Sequence, residues 1–210
     1  MQIGILGAGS VGGTLGTGWA RQGHKIRFGV RHPDSPEMKE LLKKIGPAAA
    51  AGSVEEAATF GEVVVLATPW PATYEALRAA GDLSEKVLLD CTNPLQPQLA
   101  GLEVGTTTSA GEMVAEWARG ARVIKIFNTT GFGNMANPTY PLGPVTMFYC
   151  GDDDGAKVIA AQLASELGFD PVDAGPLRQA RLLEPMAMLW IWLAVFGGLG
   201  TNFAFKLMRR

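Results

Sequence analysis

The chain is poor in the side chains that carry most metal and redox chemistry. Of its 210 residues only two are cysteines, Cys91 and Cys150, and two are histidines, His24 and His32. Two cysteines without CxxC spacing exclude a disulfide framework, and two histidines argue against a His-rich metal centre. Charge is sparse as well, with 18 basic and 20 acidic residues, a net charge of −2 and no block of one sign. That pattern argues against a nucleic-acid or membrane-surface binder. With 47% hydrophobic residues, disorder is excluded too. Residues 1–7 lack the basic start and long apolar run of a signal peptide, so the expectation is a cytoplasmic chain.

What the chain has in quantity is glycine, 27 residues, many of them near the N-terminus. An apolar run over residues 2–6 leads into Gly7-Ala-Gly-Ser-Val-Gly12 and then a helical stretch to about Gln22. A second strand is predicted over Lys25–Val30, then a polar helix over Pro33–Ile45. Ser53 and Glu56 form a capping box for a short helix. Val63–Leu66 and Val87–Leu89 are continuous apolar runs suited to strands buried on both faces. Helices are predicted over Pro71–Ala80, Ser109–Arg119 and Asp154–Leu167, and strands over Arg122–Phe127, Val145–Cys150 and Pro171–Asp173. From about Leu177 the chain is apolar and predicted helical at least to Gly197. This alternation predicts an α/β fold: a Rossmann-type doubly wound parallel sheet with a small C-terminal helical part. The expected organisation is a single NAD(P)-binding domain over residues 1–210, with the helical extension from about 177.

A glycine fingerprint directly after a strand and opening a helix is the context a dinucleotide pyrophosphate requires. Gly7 allows the tight turn, Gly9 lets the phosphates approach the backbone, and Gly12 lets helix and strand pack closely. Ser10 and Val11 contribute backbone at the helix start, whose free N–H groups and dipole favour an anion. The end of the second strand then selects the cofactor. A carboxylate there would hold an NAD ribose, whereas this chain has Arg31 and His32, 19 residues past Gly12, and no acid before Asp34. A guanidinium suits a 2′-phosphate, so NADP(H) is expected over NAD. The later strand ends place Thr68, Pro69 and Trp70, then Thr92 and Asn93, then Asn128 to Asn134 with Phe132, toward the nicotinamide side. No side chain shows the spacing of a general base, and no catalytic or metal-binding residue is assigned. Met186–Phe205 has 20 positions without a charge, but its glycines and Asn202 read as a buried or dimer-forming helix with Trp190 and Trp192 packing, not as a membrane span. Asp152–Asp154 reads as an N-cap, and both cysteines as buried and inert.

With these residues in view, the chain resembles the NADPH-dependent oxidoreductases that use the deazaflavin coenzyme F420. It is also similar to the cytosolic oxidoreductase domain of six-transmembrane ferric reductases. The most specific pieces are Cys150-Gly-Asp-Asp-Asp154, Asp173-Ala-Gly-Pro-Leu177 and Arg181-Leu-Leu-Glu184. The resemblance implies a cytoplasmic homodimer with a small-molecule redox partner. It implies direct hydride transfer between NADP(H) and coenzyme F420, or a flavin (FMN or FAD), with no protein acid or base. The alternatives it leaves open are a flavin-linked ferric or metal reductase and a non-catalytic NADPH sensor. Two departures stand out. Ser35 lies near the place of a lysine that commonly follows the phosphate-binding arginine, and the Asn128–Asn134 loop has the Asn-Thr sequence of the ferric-reductase domain in place of a histidine.

Overall fold

The apolar runs of the sequence become the strands of one eight-stranded sheet in a computed structural model that describes residues 1–210. In chain order the elements are β1 (Gln2–Leu6), α1 (Ser10–Arg21), β2 (Lys25–Gly29), α2 (Pro36–Ile45), β3 (Ala49–Gly52) and α3 (Val54–Phe60). They continue with β4 (Val63–Leu66), α4 (Trp70–Ala80), β5 (Val87–Asp90), α5 (Ala110–Trp117) and β6 (Arg122–Lys125). The last third holds α6 (Phe132–Ala136), the hairpin β7 (Thr139–Tyr140) and β8 (Gly143–Pro144), β9 (Thr146–Gly151), α7 (Asp154–Glu166), β10 (Asp170–Asp173) and α8 (Ala180–Val195).

The sheet order is β10-β9-β6-β5-β4-β1-β2-β3, so the chain reverses direction across the sheet between β1 and β4. That is the Rossmann arrangement, with a switch-point crevice at the carboxyl ends of those two strands. The central strands are buried on both faces, as their unbroken Val and Leu runs require. One core packs Ile3, Ile5, Phe28, Val65 and Leu89 against Leu15 and Trp19 of α1 and Leu163 of α7. The other packs Leu6, Val64, Leu66 and Leu88 against Ala57 of α3, Leu77 of α4 and Val114 of α5. Trp19 is fully buried, with its indole N–H donating to the Leu163 carbonyl at 3.0 Å.

Three features depart from the sequence expectation. The sheet is not wholly parallel: β9 runs antiparallel to β6, with Ile124 opposite Gly151. A parallel neighbour needs a crossover long enough to return to the same end of the sheet. The segment here forms only the five-residue α6, which packs on α1, and a small hairpin. Strand β3 reads Ala-Ala-Ala-Gly, which carries no strand signal; its pairing to β2 creates it. The C-terminal helix stops at Val195, short of Gly197, and the chain returns as an extended tail. Phe203 stacks on Trp190 with ring centroids 5.2 Å apart, and Thr146 N–H donates to the Phe205 carbonyl at 3.3 Å. Trp190 therefore packs as expected, whereas Trp192 is 52% exposed. No helix is long and apolar enough to cross a membrane. Strands β3 and β10 form the two edges of the sheet.

Candidate functional site

The three glycines after β1 each meet a different constraint. Gly7 sits at φ +102°, where a side chain would be strained, and a Cβ there would press on the Ala67 carbonyl at 2.7 Å. A Cβ on Gly12 would collide with the Gly7 carbonyl, which keeps α1 tight against β1. A Cβ on Gly9 would meet nothing within 4 Å. Gly9 is exposed, and its missing side chain leaves room on the outer side of the loop. It is also the N-cap of α1, and no side chain caps that helix or places an acid in its first turn. By contrast α2, α3, α5 and α7 are capped by Ser35, Ser53, Ser109 and Asp153. The start of α1 is thus a set of unsatisfied N–H donors with a positive dipole, facing a glycine-lined space.

A cleft of about 1010 Å³ opens there, lined by 28 residues. It runs from Val30, Arg31, His32 and Ser35 past Gly7, Gly9, Ser10 and Val11 to Thr68, Pro69, Trp70, Thr92 and Asn93. Ten of the sequence-predicted residues, Gly7, Gly9, Ser10, Val11, Arg31, His32, Thr68, Pro69, Trp70 and Asn93, are therefore gathered on one wall or another. Arg31 and His32 are exposed at the end of β2 with no carboxylate partner. Ser35 accepts a hydrogen bond from Met38 N–H at 3.2 Å as the cap of α2, so its lone pairs are partly committed. Glu37 lines the same end, and hydrogen bonds from its own backbone and from Ser35 hold its carboxyl below the ordinary carboxylate range. The residues fit a phosphorylated dinucleotide: an open glycine cradle at an uncapped helix start, and a guanidinium where an NAD enzyme would carry an acid.

Gly12, Asn128 and Phe132 do not line the cleft. Gly12 acts through packing, as its fingerprint role implies. Trp70, which does line the cleft, is stacked on Trp117 with centroids 5.4 Å apart. Phe132 opens α6 with its ring 53% exposed. Asn128 is 4% exposed and holds the floor from below. Its amide donates to Asn93 Oδ1 at 3.1 Å and to the Leu183 carbonyl at 3.2 Å, while the Asn93 amide donates to the Asn128 carbonyl at 3.0 Å. Phe127, just before it, adopts φ +63°, a left-handed conformation uncommon for a bulky residue. The turn is held because the Phe127 ring packs edge-on to Trp19 at 5.7 Å and to Phe169 at 6.1 Å.

Beneath this floor lies a charged cluster of which only Glu184 belongs to a quoted sequence piece, Arg181-Leu-Leu-Glu184. Lys125 is completely buried, and its ammonium contacts Asp90 at 2.9 Å, Glu184 at 3.0 Å and the Thr92 carbonyl at 2.6 Å. Burial alone would lower the Lys125 pKa, but Asp90 and Glu184 outweigh it and hold the ammonium above its usual value. Glu184 also accepts from Ala110 N–H and Gly111 N–H at the start of α5, at 2.9 and 3.0 Å. Removing one member would leave an uncompensated buried charge, on the order of 3–5 kcal/mol. The available signal in the sequence was a lysine inside the apolar run Val123–Phe127 and a glutamate, Glu184, at the head of the long uncharged segment. Both cysteines are buried as expected. Burial pushes the Cys150 thiol up to about 12 and the Cys91 thiol higher still, so neither offers a thiolate.

Residues 2–94 match the family described as NADP oxidoreductase, coenzyme F420-dependent. A candidate F420-dependent NADP reductase from Arthrobacter sp. FB24 superposes with a TM-score of 0.89 and 33% identity over 99% of each chain. Hypothetical protein SMa0349 from Sinorhizobium meliloti superposes with a TM-score of 0.75 and 27% identity, over 86% of this chain and 87% of the other. The metalloreductase STEAP3 of Rattus norvegicus is 27% identical over 195 residues, 91% of this chain. The chain spans only 38% of that relative's length.

Proposed function

We propose, from the premise that this chain belongs to the family of coenzyme F420-dependent NADP oxidoreductases, that it transfers hydride between NADP(H) and a deazaflavin or flavin-type acceptor. That it is an NADP-dependent oxidoreductase follows from the family; the acceptor is the proposed part. The observation that carries the reading is the single cleft joining the Gly9 cradle, Arg31 and Asn93. In it the α1 N–H groups from Ser10 onward would hold the pyrophosphate, and Arg31 with His32 the 2′-phosphate. Thr68 and Asn93 would fix the nicotinamide end, on the turn that Thr92 holds. When bound, NADPH supplies the hydride.

The chain's own part is to bind, orient and exclude water. No acid or base faces the cleft at the Thr92–Asn93 floor: Asn93 is an amide, Thr92 a hydroxyl already donated to Asp90 at 2.7 Å, Cys91 a buried thiol, and Asp90 and Lys125 lie beneath, fully buried and paired with each other. Hydride transfer between two rings needs proximity and alignment, which this floor would supply, and the charge left on the reduced acceptor ring is neutralised by a proton from solvent. A second reading, a flavin-linked metal reductase, is favoured by one observation, the likeness of nearly the whole chain to STEAP3. Anaerobic oxidation of NADPH against coenzyme F420, FMN, FAD and a ferric chelate tests both. Turnover with F420 or free flavin supports the main reading. Turnover with the ferric chelate only when flavin is added supports the second.

A further inference from the structure

We infer that Lys125 is a positioning residue for the nicotinamide end of the cleft, acting through the Thr92–Asn93 turn, with Glu184 and Asp90 holding it in place. This rests on the reading that the nicotinamide sits at Asn93. The turn has unusually complete control of its polar groups. Asp90 Oδ1 accepts both the Thr92 N–H, at 2.9 Å, and the Thr92 hydroxyl, at 2.7 Å. Lys125 Nζ donates to the remaining group, the Thr92 carbonyl, at 2.6 Å, and to Asp90 Oδ2 at 2.9 Å. Every polar group of Thr92 is thus fixed by one buried ion pair. The next residue, Asn93, is the one that enters the cleft.

The same cluster reaches the second strand end. Lys125 closes β6, and Asn128, three residues on past the left-handed Phe127, brackets Asn93 with reciprocal hydrogen bonds. The Asn128 amide also donates to the Leu183 carbonyl, the residue before Glu184 on α8. Lys125, Asp90 and Glu184 are each at most 1% exposed and do not themselves line the cleft; they reach it only through Thr92. A cluster of one cation and two carboxylates is an expensive way to fill a core, since well-packed apolar side chains are often as stable or more so. What apolar residues cannot do is fix a turn's direction. Here the charges specify where Asn93 points.

The test separates the two ends of the dinucleotide. NADPH and 2′,5′-ADP, which reports the Arg31 and Gly9 end and lacks the nicotinamide, are titrated into the unmodified protein and the variants Lys125→Met, Glu184→Gln, Asn93→Ala and Lys125→Met/Asn93→Ala. Lys125→Met is expected to weaken NADPH about tenfold while 2′,5′-ADP stays within about twofold, and Glu184→Gln to act in the same direction by about threefold. Because Lys125 acts through Asn93, the double variant should bind NADPH within about twofold of Asn93→Ala alone. Equal loss of both ligands in folded Lys125→Met, unchanged NADPH affinity, or additive effects in the double variant would overturn the inference. If Lys125→Met does not fold, Glu184→Gln decides, and a change that is absent or equal for both ligands overturns it. Unchanged NADPH binding in Asn93→Ala overturns instead the placement of the nicotinamide.

Discussion

Asn93 and Asn128, 35 positions apart in the chain, face each other in reciprocal hydrogen bonds of 3.0 and 3.1 Å, so the ends of β5 and β6 are locked into one floor. Asn128→Ala keeps the main-chain carbonyl that accepts from Asn93 but removes the side-chain half of the bracket and the tie to Leu183, leaving the Leu183 carbonyl and Asn93 Oδ1 without their donor. We expect about 2 kcal/mol of lost stability, roughly 4–8 °C in Tm, read by thermal unfolding, together with slower NADPH turnover.

Cofactor choice is proposed to rest on Arg31, which lines the cleft at the end of β2. NADPH should bind more tightly than NADH, and Arg31→Ala should remove most of that preference. A charge-assisted phosphate contact contributes on the order of 1.5–3 kcal/mol, about ten- to a hundredfold in affinity. Fluorescence titration of both cofactors measures it; equal affinities in the unmodified protein would reject the role.

Gly9→Val places a branched side chain in the open space at the start of α1. Because a Cβ there meets no protein atom within 4 Å, the fold should survive while NADPH binding is lost. Circular dichroism with cofactor titration checks both halves. Normal NADPH binding would remove the loop as the phosphate site.

The clasp between α5 and α8 should make stability depend on pH. Arg181 donates to Glu112 at 2.7 and 2.8 Å, and this pairing, with Ser109, holds the Glu112 carboxyl below its usual value despite partial burial. A carboxyl pKa depressed by folding adds stability above its unfolded value, and that stability is lost as pH falls through the folded value. Glu112→Gln should therefore lower stability by about 1 kcal/mol at neutral pH, with the difference from the unmodified protein closing in strong acid. Urea denaturation across pH checks it, and a gap that persists in acid would show that the charge is not the cause.

Phe132 exposes 53% of its ring beside the Asn134 segment and outside the cleft wall. Phe132→Ala should leave NADPH affinity unchanged and raise KM for a deazaflavin or flavin acceptor severalfold, measured by steady-state kinetics. Unchanged acceptor kinetics would move the acceptor ring elsewhere.

Much of this architecture was readable because strong local signals coincided. The runs at Val63–Leu66 and Val87–Leu89 suited buried strands and became them, and the glycine spacing after β1 placed the turn and the start of α1. What was hidden was decided by tertiary context. An Ala-Ala-Ala-Gly strand has no propensity of its own and exists because β2 offers a partner. The reversal at β9 depends on where α6 docks. The stack of Trp70 on Trp117 was hidden because nothing in sequence brings the two together. The Lys125 cluster joins residues from β5, β6 and α8, and only the folded chain brings them together.

The two edges of the sheet have a consequence for how this molecule meets others of its kind. Exposed edge strands invite strand-by-strand addition unless they are short, charged or interrupted. One edge, β3, is four residues of alanine and glycine, too brief and smooth to grip a partner strand. The other, β10, reads Asp-Pro-Val-Asp: Pro171 lacks a donor, and Asp170 and Asp173 carry charge at both ends, approached by Lys206 at 3.9 Å and Lys157 at 3.2 Å. Both margins of the sheet thus disfavour strand-by-strand growth, one by its brevity and the other by its proline and its charges.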